Sequence, residues 1–445
     1  MRPFPVSLAI LIHLPIVIGT LSSKRLTSNF NKNDPVLLLE FQDLKAKHNP
    51  LSFGMGYPDF NPPKILQKAL ARAAVSDDYE LNQYASSRGH PRLLKAVAAF
   101  FSKLLNRTLN PDENVVIAVG AQEAIHGILQ AHTTTGDEWI VFSPYFSYFD
   151  PIIKAAYGVP KYIPLVSSKT TGNITSSDFK FDKKDLASLF NHKTKGILVN
   201  TPHNPTGKVF DYEELAYIAN LAKKWDSIVI LDEVYQFLNY GNQQHLRLAT
   251  FPGMFERTIT VGSGGKMFSA TGYRIGWAYG PKDLINNVKL VNGFAVMSAP
   301  TPIQEAVAVA IEEEDDNYGK PESYIEQLRR ESEKKRNFMY KILSDAGMTP
   351  VFAESGYFII ARWNTMVNTF QLHRKSDEPA DYSFVRWLIK NVSVFANPLS
   401  RFYTSDIDSH VEEHYIRFTM IKKWETLGQL DRLLKKWKSR RSLKQ

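Results

Sequence analysis

The sequence of 445 residues contains no cysteine, and it lacks an apolar run of the length that crosses a membrane comfortably. Without cysteine the chain can form no disulfide, thiolate metal site, iron–sulfur cluster or cysteine nucleophile. Residues 6–19 are apolar apart from Ser7, His13 and Pro15. This run falls short of the roughly 20 residues that a membrane-spanning helix needs. We therefore expect no stable membrane span.

The apolar run belongs to an N-terminal segment, residues 1–25, that has the pattern of a targeting sequence. A basic residue precedes the run and two follow it, and Val17 and Gly19 supply small residues before a cleavage position. This arrangement is typical of a secretory signal peptide, but the absence of acidic residues before Asp34 also fits an organellar presequence. We expect a mitochondrial or cytoplasmic protein, with the secretory route as the alternative.

Basic residues are in moderate excess, with 54 Lys and Arg against 45 Asp and Glu. Much of the excess lies at the C-terminal end, in Arg432, Lys435, Lys436, Lys438, Arg440, Arg441 and Lys444. Such a tail fits either an anionic surface or nucleic acid, or the solvated end of a last helix, and the second interpretation is favoured. We therefore expect small-molecule partners and no nucleic acid.

Short apolar segments alternate with amphipathic ones along most of the chain. Five of these segments are apolar at successive positions rather than at every second position: residues 115–119, 138–142, 196–200, 227–231 and 258–261. Strands of this kind are buried on both faces, as in parallel sheets that are covered by helices. The pattern predicts an α/β fold with a mostly parallel sheet.

The last third of the chain has a different pattern. We predict a helix at residues 301–311, a solvated break at the acidic run Glu312–Asp316 and a long helix at 321–346. Residues 356–361 and 414–418 favour strands. This region is expected to form a separate, smaller α+β domain.

Lys266 follows the apolar segment 258–261 and a turn that contains Gly262, Gly264 and Gly265. Glycine lets a backbone turn tightly and approach a ligand closely. Burial disfavours the ammonium form of a lysine, and a neutral amine can form an imine with an aldehyde. Since most lysines near glycines are solvated, this prediction depends on what the neighbouring strand ends carry.

Groups that suit a phosphate occur at two of these strand ends, where the ligands of a parallel sheet collect. The turn at Gly120 leads into a helix, so the amides of Ala121 and Gln122 are free to bind an anion. Ser263 and Arg274 flank the Lys266 turn, and the planar guanidinium of an arginine binds phosphate through two donors.

Groups that suit an aromatic ring occur at the remaining strand ends. Asp232 can keep a pyridine nitrogen protonated, Tyr235 and Asn204 can hydrogen-bond a ring hydroxyl group, and Phe146 can stack on the ring face. Singly, each residue has an ordinary explanation as a turn cap or a core side chain. Jointly they predict a site for a ring-bearing aldehyde phosphate attached to Lys266.

Four motifs resemble the pyridoxal-phosphate aminotransferases of fold type I: Asn204-Pro-Thr-Gly207, Asp232-Glu-Val-Tyr235, Ser263-x-x-Lys266 and Arg274-x-Gly276. Residues 54–60, 81–84 and 262–272 are similar to the group of kynurenine aminotransferases, glutamine transaminase K and cysteine-S-conjugate β-lyases. The resemblance implies pyridoxal 5′-phosphate as the cofactor, with Lys266 as its catalytic attachment point.

The same resemblance implies how the chain is divided. A large cofactor-binding domain with a seven-stranded sheet would span residues 61–310, and a small C-terminal domain would span 311–445. Residues 26–60 would form an N-terminal arm that joins the small domain. The implied assembly is a homodimer in which Tyr84 of one subunit reaches the cofactor phosphate of the other.

The resemblance also implies a substrate pocket. Arg417 would pair with the α-carboxylate of the amino acid, and Gly56 and Asn204 would line the same pocket. Two positions depart from the group, with Leu38 where an aromatic residue is usual and Met297 where a Phe comes from the partner subunit. Because both positions shape the pocket, we expect an aminotransferase for a kynurenine-, glutamine- or methionine-like donor and a 2-oxo acid.

Two alternatives remain at this stage. The first is β-elimination from cysteine S-conjugates on the same scaffold. The second is a metal hydrolase, because His410-Val-Glu-Glu-His414 fits the H-x-x-E-H pattern. That pattern needs a helix, whereas here it leads directly into a predicted strand, so a solvated turn is favoured and no metal is expected.

Overall fold

The computed structural model describes residues 34–167, 169, 172–363, 366, 378–403 and 414–442, apart from the side chains at 34–39, 441 and 442. The predicted targeting segment 1–25 and residues 410–413 of the H-x-x-E-H pattern lie outside the described residues. Of the helices in the described part, none is both long enough and apolar enough to cross a membrane.

The described helices follow one another from the N-terminal to the C-terminal end. In chain order they are α1 Asp34–His48, α2 Lys64–Ala74, α3 Pro91–Leu105, α4 Pro111–Asn114, α5 Ala121–His132, α6 Phe149–Ala155, α7 Lys183–Leu189, α8 Tyr212–Lys224, α9 Gly264–Met267, α10 Lys282–Ala295, α11 Thr301–Asn317, α12 Tyr324–Asp345, α13 Ala380–Val392 and α14 Trp424–Ser442.

The described strands form two larger sheets and two short pairs. In chain order they are β1 Leu51–Ser52, β2 Val115–Ala118, β3 Glu138–Ser143, β4 Val159–Pro164, β5 Val166–Ser167, β6 Phe179–Lys180, β7 Thr194–Asn200, β8 Ile228–Asp232, β9 Thr258–Ser263, β10 Gly276–Tyr279, β11 Thr349–Pro350, β12 Phe358–Arg362, β13 Val394–Phe395, β14 Asn397–Pro398 and β15 Tyr415–Thr419.

The central sheet has seven strands in the order β2-β10-β9-β8-β7-β3-β4. All neighbours pair in parallel except β10, which is antiparallel to both β2 and β9. The α/β fold and the mostly parallel sheet that the sequence predicted are therefore confirmed. The carboxyl ends of β7, β8 and β9 are adjacent in this order, which places the loops after them at one edge of the sheet.

Strand β8 shows why the segments are apolar at every position. Val229 and Leu231 face one hydrophobic core, whereas Ile230 between them faces the other. All three side chains are fully buried. Because side chains alternate across a strand, a sheet with a core on each face needs apolar residues at successive positions.

The smaller sheet is antiparallel, in the order β11-β12-β15-β14, and a third hydrophobic core covers it. Strand β1 pairs in parallel with β13, so the segment before residue 60 is tied to the C-terminal third of the chain. In β15, Arg417 lies opposite Ile360 of β12 and Asn397 of β14. Arg417 is thus held on a central strand of this sheet.

The predicted break at the acidic run Glu312–Asp316 is wrong, because α11 continues through it to Asn317. The reason is Glu314, which is only 3% exposed. Its carboxylate accepts hydrogen bonds from the Ser323 hydroxyl and the Tyr324 amide, both at 2.7 Å, at the start of α12. The helix is stable there because one of its acids satisfies the free N-terminal amides of the next helix.

Candidate active site

Lys266 lies in the short helix α9, directly after β9. The Ser263 hydroxyl caps this helix by accepting the Lys266 amide at 3.3 Å. A Cβ at Gly265 would lie 3.0 Å from the Thr271 backbone, so glycine is needed for the tight turn. The Lys266 amine donates to the Gly56 carbonyl at 2.7 Å. The turn therefore directs the amine toward the loop that follows β1.

The Lys266 amine is surrounded by aromatic and cationic groups. Its Nζ lies 5.5 Å from the ring centre of Tyr235 and 5.2 Å from that of Tyr357. Burial, together with the positive charge of Arg417, lowers the pKa of Lys266 to about 7, although the Asp232 carboxylate opposes this shift. The lysine can consequently exchange a proton near neutral pH.

Asp232 ends strand β8 and is buried. The Asn200 side chain donates to the Asp232 carbonyl at 2.9 Å and accepts the Asn204 amide at 2.7 Å. Burial raises the pKa of Asp232 to about 7, and the Val234 amide and the Lys266 charge partly offset that rise. An ionised carboxylate at this depth needs a cationic partner.

Arg417 is buried between two aromatic rings of the C-terminal region. Its guanidinium carbon lies 3.9 Å from the centre of the Phe358 ring and 4.5 Å from that of Phe402. It donates to the Asn204 side-chain oxygen at 2.7 Å and to the Gly54 carbonyl at 2.9 Å. Burial lowers the pKa of Arg417 to about 9. Among the described residues no carboxylate pairs with this cation, so it is suited to an external anion.

Backbone amides and a guanidinium lie close together where α5 begins. Gly120 caps this helix with φ 87° and offers no side-chain acceptor to the amides of Ala121 and Gln122. A Cβ at Gly120 would lie 2.6 Å from the Arg274 guanidinium, and one at Gly276 would lie 2.5 Å from the Ala121 amide nitrogen. Glycine at both positions leaves room for the amides and the guanidinium to converge on a ligand.

The structure joins most of the predicted residues in one region. Direct contacts link Lys266 to Gly56, Tyr235 and Ser263, and Arg417 to Asn204. Electrostatic interactions link Lys266 to Asp232 and Arg274.

Three predicted residues, Phe146, Tyr84 and Met297, show no hydrogen bond or ring contact with this group in the single chain, and the side chain of a fourth is not described. Phe146 is half-buried and packs on Tyr148 and Phe149. Tyr84 is 79% exposed and Met297 is 53% exposed. Leu38 lies in α1, within the stretch whose side chains are not described.

Sequence reasoning missed three aromatic residues of the site. The Tyr357 hydroxyl donates to the Lys266 carbonyl at 2.9 Å, and Phe358 and Phe402 enclose Arg417. A Cβ at Gly56 would lie 2.5 Å from the Phe358 ring, which explains the glycine there. One signal was available, because Tyr357 and Phe358 lie at the start of a predicted strand beside the predicted Arg417 strand.

These groups fit pyridoxal 5′-phosphate on three counts. A buried amine of low pKa is available for its aldehyde, a buried carboxylate for its ring nitrogen, and a glycine-lined helix start with a guanidinium for its phosphate. The motifs that contain Asn204, Asp232 and Ser263 lie at or just after the ends of the neighbouring strands β7, β8 and β9. Fold and site together define a pyridoxal-phosphate enzyme of fold type I.

Comparisons with known proteins give the family. The family described as aminotransferase class I and II matches residues 49–433. Mouse kynurenine–oxoglutarate transaminase 3 is 38% identical over 96% of this chain and 94% of its own length. Human kynurenine–oxoglutarate transaminase 1 is 38% identical over 90% of this chain and 95% of its own length.

Solved structures agree with these sequence matches. Bna3p from Saccharomyces cerevisiae superposes with a TM-score of 0.86 at 30% identity, over 94% of this chain and 99% of its own. YbdL from Escherichia coli superposes with a TM-score of 0.80 at 26% identity, over 92% and 99%. The chain belongs to the aminotransferase class I and II family. Its cofactor is pyridoxal 5′-phosphate, and it transfers amino groups between amino acids and 2-oxo acids.

The metal-hydrolase alternative receives no support from the described residues. Among them, no group of three or more His, Asp or Glu side chains could hold a metal ion. His414 directly precedes strand β15, and the other four residues of the H-x-x-E-H pattern lie outside the described part.

Proposed function

We propose that Lys266 is the catalytic residue of a transamination in which a kynurenine-, glutamine- or methionine-like amino acid gives its amino group to a 2-oxo acid. The observation that carries the proposal is that the Lys266 amine, the Asp232 carboxylate and the Arg417 guanidinium interact within one buried site. Pyridoxal phosphate held in this site would withdraw electrons from the substrate Cα and make its proton acidic.

Lys266 is suited to move that proton. With a pKa of about 7, its amine is present in both protonation states near neutral pH, as a general base and then a general acid require. Asp232 would hold the cofactor ring nitrogen in its protonated form. Burial raises the pKa of Asp232 and so disfavours its ionised form. A protonated ring nitrogen nearby would stabilise the ionised carboxylate, and the carboxylate would in turn stabilise the protonated nitrogen.

The remaining residues would hold the cofactor in place. The amides of Ala121 and Gln122, with Ser263 and Arg274, would bind the phosphate at the start of α5. Tyr235, Asn204 and Phe146 would contact the ring, the first two through hydrogen bonds and the third by stacking.

Arg417 would bind the substrate α-carboxylate and so orient the Cα proton toward Lys266. Its fixed contacts to Asn204 and Gly54 set the direction of the guanidinium before substrate arrives. The Gly56 carbonyl, which accepts the Lys266 amine, lies in the same loop as Gly54. A preorganised guanidinium of this kind lowers the cost of positioning the substrate.

The substrate class is supported by the names of the relatives and by two residues of this chain. The relatives matched here are named kynurenine–oxoglutarate transaminases, and the description of YbdL assigns it a methionine aminotransferase function. Leu38 and Met297 are proposed to shape the pocket. Since aliphatic side chains cannot stack on an aromatic substrate as a Phe or Trp does, they favour flexible donors such as methionine or glutamine.

The proposal is tested with a panel of donors and acceptors. Purified protein with pyridoxal phosphate is supplied with kynurenine, glutamine or methionine, each with pyruvate or 2-oxoglutarate. We expect equal amounts of new amino acid and new oxo acid, formed only when both partners are present. If no donor supports this exchange, the proposal is wrong. Pyruvate and a thiol released from a cysteine S-conjugate without an acceptor would instead reveal β-elimination.

We further propose that the active form is a homodimer. Four apolar side chains, Tyr84, Leu290, Phe294 and Met297, are more than half exposed, and Phe294 is 92% exposed. The Thr301 hydroxyl bonds the carbonyl of residue 83, so the Tyr84 loop lies beside the segment that follows α10. An exposed apolar patch of this kind is typical of a subunit interface.

The dimer proposal predicts complementation between two defective chains. Lys266→Ala and Tyr84→Ala protein would each be weakly active, but mixed dimers would contain one intact site. Random exchange of subunits would restore about one quarter of wild-type activity, because half of the dimers are mixed and one of their two sites is intact. No recovery after verified subunit exchange would contradict the role of Tyr84 across the interface.

A mitochondrial or cytoplasmic location is proposed as well, on the basis of the N-terminal sequence. Imaging of a C-terminal fluorescent fusion, with and without residues 1–25, would test it. Accumulation of the fusion in the secretory pathway would favour the signal-peptide alternative.

A further inference from the structure

A rigid turn lies beside the proposed carboxylate site. Residues Leu399–Phe402 form a 3₁₀ turn in which both the amide and the hydroxyl of Ser400 donate to the buried Asp381 carboxylate at 2.8 Å. At the other end of the turn, the Phe402 carbonyl accepts the Tyr145 amide at 2.8 Å. Since both ends are anchored, the side chains of this turn hold fixed positions relative to the site.

Arg401 lies in this turn, next to the Phe402 ring that packs on the Arg417 guanidinium at 4.5 Å. It is half-buried and makes no hydrogen bond or ion pair with another described residue. Its charge is close enough to contribute to the lowered pKa of Arg417, after the larger effect of burial. Arg401 thus adds a second positive charge close to Arg417.

No acid of the described part of the chain pairs with Arg401. Lys266, Arg274, Arg401 and Arg417 are basic, and Asp232 is the acid that interacts with Lys266 among the described residues. Under the proposed function, on which this inference rests, the cofactor phosphate faces Arg274 and the substrate α-carboxylate faces Arg417. A second anionic group on the substrate could form an ion pair with Arg401.

We propose that Arg401 is a specificity-determining residue that binds a carboxylate on the substrate side chain. Among the 2-oxo acid acceptors, the enzyme then selects dicarboxylic over monocarboxylic ones. The α-carboxylate binds Arg417 and the distal carboxylate binds Arg401. An arginine is suited to this task because its planar fork accepts a carboxylate through two parallel hydrogen bonds.

The test compares two acceptors with one amino donor. The ratio of kcat/KM for 2-oxoglutarate to kcat/KM for 4-methylthio-2-oxobutanoate is measured for wild type and Arg401→Met. We expect the ratio to fall at least about tenfold in Arg401→Met, to fall less in Arg401→Lys and to fall furthest in Arg401→Glu. Arg432→Met, a change of an exposed arginine in α14, is the matched control.

Inhibition by substrate-like acids without an oxo group gives a second measurement that needs no turnover of the acceptor. Glutarate and valerate differ in their distal carboxylate, and we expect Arg401→Met to weaken glutarate about tenfold relative to valerate. Ratios within twofold of wild type in both experiments would overturn the role of Arg401, even if amino transfer itself is observed. Absence of transfer to either acceptor in the wild type would instead overturn the proposed function.

Discussion

Lys266 is half-buried and Arg417 is buried, and burial lowers the pKa of both cations with different results. Lys266 lies in α9, just after a strand of the central sheet, where it interacts with an acid, Asp232, and its pKa falls to about 7. Arg417 lies on the smaller sheet between two aromatic rings, has no acid partner among the described residues, and has a pKa lowered to about 9. At neutral pH the lysine can lose its proton, whereas the arginine keeps its charge.

This difference in pKa suits the two cations to different ligand groups, an aldehyde at Lys266 and a carboxylate at Arg417. A neutral amine is the form that attacks an aldehyde, so burial of Lys266 favours a covalent bond. A buried guanidinium that cannot be neutralised favours an anion, so burial of Arg417 favours a carboxylate held without a covalent bond. Each of the following tests changes one side of this comparison.

Loss of the lysine should have the largest effect. We expect Lys266→Ala to lower kcat/KM for the best donor by at least about 10⁴-fold, because the proton transfer at Cα and the attachment of the cofactor are both removed. The absorption band of the bound cofactor should disappear as well. Lys390→Ala, which changes an exposed lysine in α13, should retain wild-type rates. Activity above roughly 1% in Lys266→Ala would contradict the assignment.

Titration of Lys266 should show the next largest effect. In protein freed of cofactor, competitive acylation of Lys266 should reach its half-maximal rate near pH 7, far below the value for a free peptide amine. Below this pH the ammonium form predominates and reacts slowly.

Two variants test in which direction each neighbouring charge shifts the midpoint of the Lys266 titration. Arg417→Met should raise the midpoint, since it removes a repelling charge, and Asp232→Asn should lower it, since it removes an attracting one. A midpoint above about pH 10 in the wild type would remove the contrast with Arg417.

Loss of the arginine should mainly affect substrate binding. We expect Arg417→Met to reduce kcat/KM for the amino acid by about 10²–10³-fold through KM, while the cofactor remains bound. The melting temperature should change little, because relief of the desolvation cost of the cation offsets the loss of its hydrogen bonds to Asn204 and Gly54. An unchanged KM would show that the carboxylate binds elsewhere.

The smallest effect is expected from loss of the hydrogen bond between the Tyr357 hydroxyl and the Lys266 carbonyl. Tyr357→Phe removes the hydroxyl that donates to the Lys266 carbonyl but keeps the ring beside its amine. Loss of one hydrogen bond should cost about 1 kcal/mol, which corresponds to a roughly fivefold lower kcat. Tyr340→Phe, outside the site, serves as the control, and equal rates for the two variants would show that this contact does not position Lys266.

The central sheet and the residues on its strand ends were predictable because the signals are local. In β8, four successive apolar residues precede Asp232, and in β9 an apolar run precedes Ser263 and Lys266. A parallel sheet brings such ends together at one edge, so position along the chain was sufficient. The predicted mostly parallel sheet is confirmed, with β7, β8 and β9 as neighbours.

The aromatic environment of the site was not predictable from local patterns. Arg417 and Asn204 are 213 residues apart, and Tyr357 and Lys266 are 91 apart. Which ring covers which cation depends on how the smaller sheet packs against the larger one. Glu314 shows the same limit, since its acidic run indicates a solvated loop until the start of α12 is known to lie beside it.

The most direct test of the account is reduction of the purified protein with borohydride, followed by digestion with trypsin and mass spectrometry. A modified Lys266 blocks cleavage at that position, so we predict one peptide, residues 258–274, that carries a pyridoxyl group on Lys266. Cleavage after an unmodified Lys266, or a pyridoxyl group on a different lysine, would contradict the central claim that Lys266 binds the cofactor.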